Sequence, residues 1–248
     1  MKIYIQFVLQ KLLGIKLYLL LFAVFMIFKL KWDKKERDFM QFNHLIHGQG
    51  LILDIGANIG IMTYHLSKKH PGSKIVAVEP IPLNFVTLKR VASLFKLGNV
   101  DLKNCALGDR EGQAEMVMPV LKSVKKQGLS HIIHDSIKEF NQGNVYSVPM
   151  HKLDGLKELD TDKPVVAIKM DVENYEHFVL KGGIELIERD KPVIYTELWD
   201  NGNRAKCIEL LTRIGYGVYV AKNGKTIPYD NQIHDNQNFI FATKNLEA

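Results

Sequence analysis

From Leu51 onward, short, mainly apolar runs alternate with segments whose apolar residues recur at helical spacing. The apolar runs predict strands at 51–55, 74–79, 100–104, 165–171 and 193–198. Strands without polar alternation are typical of a parallel sheet that is covered on both faces. Their alternation with helical segments predicts an α/β fold built on a doubly wound, mostly parallel sheet.

The segments between and after these strands complete the expected topology. Helices are predicted where apolar residues recur at i, i+3 and i+4, at 59–68, 83–96 and 203–214. The last two apolar runs, 216–221 and 238–242, predict a terminal antiparallel pair. The polar stretch 119–144 breaks the alternation, and we expect it to form a loop over the active site.

The N-terminal segment differs in character from the rest of the chain. The twelve residues from Leu17 to Phe28 are all apolar. As a helix this run would be about 18 Å long, shorter than the hydrocarbon core of about 30 Å. Residues 1–38 hold eight Lys or Arg against three Asp or Glu, so they carry +5 of the net charge of +6. The sequence predicts an N-terminal arm that associates with an anionic membrane, or alternatively a helix packed onto the following domain.

Charge and cysteine content restrict the kinds of partner and the cellular compartment that we expect. Residues 39–248 form one domain of nearly balanced charge, so a nucleic-acid groove is not expected in it. The basic residues just after Phe28 would keep this domain on the cytoplasmic side of a membrane. The two cysteines, Cys105 and Cys207, cannot build a disulfide framework and fit a reducing compartment.

A glycine-containing turn follows the first predicted strand, in the sequence DIGANIG at 54–60. A dinucleotide fingerprint would need glycines at 58 and 61, where this chain has Asn58 and Ile61, so a pyrophosphate cradle is missing. Glu79 ends the second strand, where a carboxylate can accept hydrogen bonds from both ribose hydroxyls. The pattern predicts a nucleoside site without a diphosphate, which S-adenosylmethionine fits.

Five segments then resemble, in order, those of the FkbM-family methyltransferases: LILDIGANIG, AVEPIPLN, CALGDREG, KLDGL and IKMDVENYEHFVLKGG. The resemblance extends over about residues 48–200. It implies a class I methyltransferase (Rossmann-like) fold, a seven-stranded sheet whose last strand is antiparallel. It also implies dependence on S-adenosylmethionine and, usually, O-methylation.

The same resemblance implies roles for individual residues. The methionine end of the cofactor would be lined by Asp54, Gly56, Asn58 and Gly60. Glu79 would hold the ribose. Asp109 would accept a hydrogen bond from the adenine amino group, or would serve only as a turn residue in GDREG.

Acidic residues follow the fourth and fifth strands, beside the expected position of the cofactor methyl group. A hydroxyl that accepts a methyl group must lose a proton, so a nearby carboxylate or imidazole can act as general base. Asp171 and Glu173 are the first candidates, followed by His177 and Glu197, and a purely orienting role is the alternative for each. Asn174 stands where the family pattern has glycine, and asparagine tolerates the left-handed backbone that glycine would supply.

Further residues carry weaker signals. His131, His134 and Asp135 could ligate a metal ion, but polar positions on a mobile loop or short helix are the favoured interpretation. No convincing set of metal ligands is found, and a cation held by Asp171 and substrate oxygens stays open. Lys122, Lys125 and Lys126 could attract an anionic acceptor, although a solvated face is favoured. Three aromatic residues could stack on a sugar ring, although packing within the protein is the favoured interpretation: Tyr64, Trp199 and Tyr216.

Together these patterns predict a cytoplasm-facing, membrane-associated methyltransferase. Its acceptor would be a hydroxyl of a sugar, glycolipid or related metabolite. Two alternatives stay open: a membrane-tethered adaptor without turnover, which Asn174 alone suggests, and a nucleotide-dependent oxidoreductase. The sequence names neither the acceptor nor the oligomeric state.

Overall fold

The computed structural model describes residues 2–30, 32–33, 36–121, 124–134, 141–222, 224–233, 235–244 and 246. Its centre is an eight-stranded sheet in the order β3-β2-β1-β9-β10-β13-β11-β12. These strands are β1 (Leu51–Ile55), β2 (Lys74–Val78), β3 (Val100–Lys103), β9 (Val165–Met170), β10 (Val193–Glu197), β11 (Gly217–Lys222), β12 (Lys225–Pro228) and β13 (Asn238–Ala242). The strands from β3 to β10 are parallel, and β13 pairs antiparallel with both β10 and β11.

The predicted doubly wound sheet and its antiparallel terminal strand are thus confirmed. The family resemblance implied seven strands, and the eighth is β12, which forms a hairpin with β11. It is four residues long and ends in Pro228, too short for a clear period-two pattern.

A second sheet of five strands stands beside the first, where the sequence predicted a loop. It contains β4 (Ala106–Gly108), β5 (Gly112–Leu121), β6 (Val124–Lys125), β7 (His131–Ile132) and β8 (Gly143–Lys152). The predicted loop over 119–144 is therefore wrong at both ends, because β5 continues to Leu121 and β8 begins at Gly143. Two-residue strands such as β6 and β7 leave no periodic signal.

Helices cover both faces of the main sheet, as continuous apolar strands require. The helices are α1 (Lys2–Leu13), α2 (Ile15–Leu30), α3 (Arg37–Leu45), α4 (Ile61–Lys69), α5 (Pro82–Leu94), α6 (Glu176–Lys181), α7 (Ile184–Asp190) and α8 (Gly202–Arg213). Because β1 is buried on both sides, Leu53 packs toward α6, α7 and the second sheet while Ile52 packs toward α3.

The apolar run of the arm folds against the domain along one face of α2. Leu19, Ala23 and Ile27 are fully buried, and α2 packs against α4 and α5. The inner face of α2 is thus packed on the domain, as the second of the two interpretations of the arm predicted. Among the described helices, none is by itself long and apolar enough for a membrane span. Tyr4–Leu13 and Ile15–Leu30 pass that test only as a pair, which is bent by 120° at Gly14.

Candidate active site

The turn after β1 is held in a left-handed backbone at three alternate positions. Gly56, Asn58 and Gly60 have φ of +75°, +51° and +87°. A Cβ on Gly56 would lie 1.8 Å from the carbonyl oxygen of Asp171, so only glycine lets the ends of β1 and β9 lie side by side. Gly60 packs against Leu88 of α5 rather than against the sheet, as its missing Cβ would lie 2.8 Å from that side chain.

A buried ion pair lies directly beneath this turn. Asp54 is fully buried, accepts a hydrogen bond of 2.6 Å from Thr63 and lies 3.4 Å from Nζ of Lys169. Lys169 also donates to the Gly56 carbonyl oxygen at 3.0 Å. Burial opposes the charge of Lys169, but the carboxylates of Asp54 and Asp171 outweigh it and raise the lysine pKa. Asp54 therefore fixes the turn from below and does not line the cavity beside it.

Glu79 lies across from the turn at the end of β2. Its Oε2 accepts from the backbone N–H of Asn58 at 2.9 Å. Its Oε1 accepts from the backbone N–H of Ile81 at 2.9 Å and from Nδ2 of Asn84 at 3.3 Å. Burial raises the pKa of Glu79 to about 7, although these hydrogen bonds lower it. The carboxyl is thus oriented by three donors, and Oε2 has a lone pair left for a ligand.

A cavity opens between the ends of β1, β2 and β9. Its polar walls include Gly56, Asn58, Glu79 and Asn84, and its apolar walls include Val78, Ala106, Leu107, Met116 and Ile132. Within the part of the chain that the structure describes, Oδ1 of Asn58 and Oδ1 of Asn84 are buried without a hydrogen-bond partner. Buried acceptors that the protein leaves unpartnered are costly unless a ligand donates to them. Their placement beside Glu79 fits hydroxyl, amino or ammonium donors, all of which an adenosyl amino acid carries.

The segment from β6 to β7 covers this cavity. Gln127, Gly128 and Ser130 belong to its lining. Nδ2 of Asn84 lies 3.5 Å from the Gln127 carbonyl oxygen, and the Ser130 hydroxyl donates to the same oxygen at 2.9 Å. Although this part of the stretch 119–144 is not a simple loop, its residues 127–132 do lie over the cavity, as the sequence predicted.

Carboxylates dominate the opposite end of the cavity, where β9 and β10 end. Asp171 and Glu173 line the cavity, and Glu173 has a left-handed backbone with φ of +53°. Burial raises the pKa of Glu173 well above its usual range, and Asp171 and Glu197 raise it further. Burial and Asp171 likewise raise the pKa of Glu197 to about 7. Glu173 and Glu197 thus lie in a partly dehydrated, acidic environment that favours their protonated forms.

The turn that carries Glu173 is fixed by a buried network. Glu176 accepts from the backbone N–H groups of Val172 at 3.3 Å and Asn174 at 3.1 Å, and from Nδ2 of Asn203 at 2.7 Å. Asn174 has φ of +72°, so asparagine does supply the left-handed backbone expected at this position. Its side-chain oxygen accepts from Asn201 at 2.9 Å, which ties the turn to the start of α8.

With this geometry in hand, comparison with known proteins identifies the family. The family model described as "Methyltransferase FkbM domain" matches residues 54–222. The chain belongs to the FkbM methyltransferase family. It is accordingly a methyltransferase.

Relatives of the FkbM family agree with this assignment. "Methyltransferase 1" of Beauveria bassiana (strain ARSEF 2860) is 29% identical over 187 residues, which are 69% of this chain and 74% of that protein. The "31-O-demethyl-FK506 methyltransferase FkbM" of Streptomyces tacrolimicus is 35% identical over 79 residues, 29% of this chain and 30% of that protein. The crystal structure of the FkbM methyltransferase from Methylobacillus flagellatus superposes with a TM-score of 0.53 at 16% identity, over 80% of this chain. This chain spans 45% of that one, and the likeness confirms the class I fold.

Other residues that the FkbM resemblance or the sequence singled out do not line the cavity. Asp109 follows β4, and its carboxylate pairs with Nζ of Lys181 at 3.0 Å. His177 lies on α6, where burial and nearby lysines lower its pKa. Neither residue belongs to the cavity lining, nor do Glu197 and Gly60.

Several of the histidines, lysines and aromatic residues make contacts within the protein: Nζ of Lys126, for example, donates to Gln6. Asp135 and Lys122 lie outside the described residues. His131 is buried in β7, 2.9 Å from the amide oxygen of Asn141, so the mobile loop predicted there is a strand. The described residues contain no group of three or more His, Cys, Asp or Glu that could hold a metal ion. Tyr64 packs edge-on against Phe95, and Tyr216 donates to the Pro192 carbonyl oxygen at 3.0 Å.

The structure adds site residues that the sequence did not indicate. Asn84 lies in the quoted motif AVEPIPLN, but only its contact with Glu79 shows that it faces the cavity. Glu36 precedes α3 and belongs to the arm. Its pKa is raised by burial and by the carboxylates of Asp33 and Asp171, although it does not line the cavity. No local pattern connects Glu36 to residues more than a hundred positions away.

Proposed function

We propose that this methyltransferase uses S-adenosylmethionine to methylate a hydroxyl group of a sugar, glycolipid or related metabolite. The cavity is the observation that carries the proposal. One end presents Glu79 with the unpartnered amide oxygens of Asn58 and Asn84, and the other presents Asp171 and Glu173. A nucleoside that carries a reactive methyl group would bridge these two ends.

The residues that line the cavity could bind the three parts of S-adenosylmethionine. The turn at Gly56 and Asn58 would receive its methionine portion, and Glu79 its ribose hydroxyls through charge-assisted hydrogen bonds. The apolar walls at Val78, Ala106 and Leu107 would contact the adenine. Because Asp109 is paired with Lys181 outside this lining, we assign it no adenine contact.

The reaction needs one further group from the protein. When bound, S-adenosylmethionine supplies a methyl group activated on a positively charged sulfur. The hydroxyl oxygen of the acceptor has to lie about 3–3.5 Å from the methyl carbon, in line with the C–S bond that breaks as the O–C bond forms. The hydroxyl proton passes to a carboxylate. Asp171 or Glu173 would accept it, since both line the cavity, and Glu197 is the next candidate.

The acceptor class and the location form the second part of the proposal. The Streptomyces relative is named for O-methylation, which supports a hydroxyl acceptor here. Membrane association through residues 1–38, with the domain on the cytoplasmic side, rests on the apolar and basic character of this arm. A glycolipid acceptor would be within reach of an enzyme held in this way.

Methyl transfer can be tested with cofactor that carries a labelled methyl group. The full-length protein is incubated with it and with an aqueous glycan extract or a lipid extract. We expect label in a hydroxyl-bearing product, and we expect loss of that label with Asp171→Asn while S-adenosylhomocysteine still binds. Cofactor binding without label in either extract would instead favour the adaptor. Hydride transfer from a nicotinamide would favour the oxidoreductase, for which the structure offers no separate support.

A further inference from the structure

The helix α2 carries apolar residues on two opposite faces. Its inner stripe, Leu19, Ala23, Ile27 and Leu30, is buried against the domain. Its outer stripe has the same spacing of i, i+4, i+8 and i+11 and consists of Leu17, Leu21, Phe25 and Phe28, which are 45–60% exposed. A surface helix of a protein that faces only water normally places polar residues on its outer face.

The helix α1 continues this apolar surface. Ile5, Leu9, Leu12 and Leu13 lie largely on one side of it, and Leu12 is 76% exposed. Because the chain bends by 120° at Gly14, α1 turns back beside α2, and an apolar groove forms between them. Leu9, Leu21 and Phe25 line this groove. Together the exposed apolar residues of α1 and α2, which we call the apolar hairpin surface, form a patch of the kind that marks an interaction site.

The helices that carry the apolar hairpin surface also carry exposed positive charges. Lys11, Lys16 and Lys29 are exposed on the two helices, and residues 1–38 carry a net charge of +5. Lys29 is partly neutralised by Asp33, 2.7 Å away. Apolar side chains bordered by lysines match the chemistry of an anionic lipid surface, in which acyl chains lie beneath negative headgroups. A second copy of the chain would bring two N-terminal segments of net charge +5 together.

We propose that α1 and α2 form an interfacial anchor that inserts the apolar hairpin surface into one leaflet of an anionic bilayer. The inference rests on the membrane association in the proposed function and specifies its mode and its lipid. Since the inner stripe of α2 is packed on α4 and α5, this helix can enter lipid only along its outer stripe. The anchor therefore lies in the plane of the membrane surface.

The anchor is connected to the cover of the cofactor cavity. Gln10 of α1 exchanges two hydrogen bonds with the backbone of Lys125, at 3.2 and 3.3 Å, and Gln6 accepts from Nζ of Lys126 at 2.6 Å. The next residues, Gln127 and Gly128, line the cavity. Binding of the hairpin to a bilayer would thus hold the cavity cover close to the lipid surface, where a lipid-linked acceptor is found.

Sedimentation with vesicles tests the anchor without any methyl acceptor. The full-length protein is mixed with vesicles of phosphatidylcholine alone or with 30% phosphatidylglycerol, and the pelleted fraction is measured. We expect binding to the anionic vesicles that exceeds binding to the neutral ones by at least tenfold at low salt and declines as salt is raised. Absence of binding to both vesicles overturns the proposal.

Matched variants locate the contact. Leu21→Glu and Phe25→Glu change exposed positions of the outer stripe, and we expect each to weaken binding at least tenfold. Ile233→Glu is the control, because Ile233 is equally apolar and 67% exposed but lies before β13. Titration with S-adenosylhomocysteine checks that all three variants are folded, so failure of the anchor stays separate from failure of the cofactor site. Equal loss of binding in the Ile233→Glu variant would overturn the assignment to the hairpin.

The depth of insertion separates an interfacial anchor from other arrangements. Trp32, which follows α2, is 79% exposed, and its fluorescence can be quenched by brominated lipids. We expect stronger quenching by bromines near the headgroups than by bromines at the bilayer centre, and loss of this difference in Trp32→Phe. Stronger quenching from the bilayer centre would overturn the in-plane anchor. So would a stable dimer that forms without lipid and that Phe25→Glu dissociates.

Discussion

Lys169 and Asp54 are register partners on neighbouring strands β9 and β1, and Nζ of Lys169 lies 3.4 Å from the Asp54 carboxylate. The same ammonium group donates to the Gly56 carbonyl oxygen at 3.0 Å. A buried ion pair in this position joins the two strand ends that border the candidate cofactor cavity. The pair therefore connects the packing of the sheet to the geometry of the glycine turn.

Removal of the lysine charge alone should lower the free energy of unfolding more than removal of both charges of the pair. Lys169→Met leaves Asp54 buried without its partner, and we expect a loss of about 3–5 kcal/mol in the free energy of unfolding. Asp54→Asn combined with Lys169→Met should recover a large part of that loss. Urea unfolding of both variants measures the difference. A double variant as unstable as Lys169→Met would show that the pair is not coupled.

Gly56→Ala tests the close contact between the ends of β1 and β9. The new Cβ would lie 1.8 Å from the Asp171 carbonyl oxygen, and φ is +75°. Gly215→Ala is the matched control, because φ is +93° there and nothing lies within 4 Å of the new Cβ. We expect the control to lose about 1–2 kcal/mol of stability, as left-handed backbone costs an alanine. The loss in Gly56→Ala should be clearly larger, with weaker cofactor binding, and equal losses would contradict the contact.

Much of this site could be predicted from the sequence, because local patterns encode it. The strands β1, β2, β9 and β10 are mainly apolar runs, and the glycine turn, Glu79 and Asp171 follow the carboxyl ends of β1, β2 and β9. In a parallel sheet those ends meet at one edge, so residues far apart in the chain can be placed together without a structure.

Features that depend on tertiary partners could not be predicted. Lys169 lies within an apolar run, and only the register with β1 shows that Asp54 is its partner. Glu176 is recognisable as the residue that holds the turn at Asn174 only through its hydrogen bonds. The run that forms α2 is apolar all round, so its composition could not show which face is buried.

Glu176 should make the stability of the protein depend on pH. Burial raises its pKa from 4.5 to about 7, so the folded protein retains a proton that the unfolded chain has already released. The stabilisation is complete below the unfolded value of 4.5 and is lost as the pH rises to about 7. It amounts to on the order of 3 kcal/mol.

Glu176→Gln should therefore decrease this dependence. Glutamine keeps an acceptor for the backbone N–H groups of Val172 and Asn174 but cannot ionise. We expect the free energy of unfolding of the variant to fall less than that of the natural protein between pH 4.5 and 8, as measured by urea unfolding. Glu188→Gln, at an exposed position on α7, controls for the loss of one charge. An unchanged slope in Glu176→Gln would contradict the assignment.

The acidic end of the cavity should give methyl transfer a characteristic pH dependence. Burial raises the pKa of Glu197 to about 7 and raises that of Glu173, so these two carboxyls keep their protons to a higher pH than exposed glutamates do. We expect kcat to rise between pH 6 and 8. Asp171→Asn should lower kcat at least a hundredfold without a comparable change in cofactor affinity. A flat pH profile together with normal kcat in Asp171→Asn would exclude a carboxylate base at this position.

Calorimetric titration of the full-length protein with S-adenosylhomocysteine, with NAD as comparison, tests the cofactor cavity most directly. We predict binding of S-adenosylhomocysteine and no binding of NAD. Glu79→Ala should weaken the former at least tenfold, because the ribose hydroxyls then lose their charged acceptor. Binding of NAD without S-adenosylhomocysteine, or an affinity unaffected by Glu79→Ala, would contradict this account.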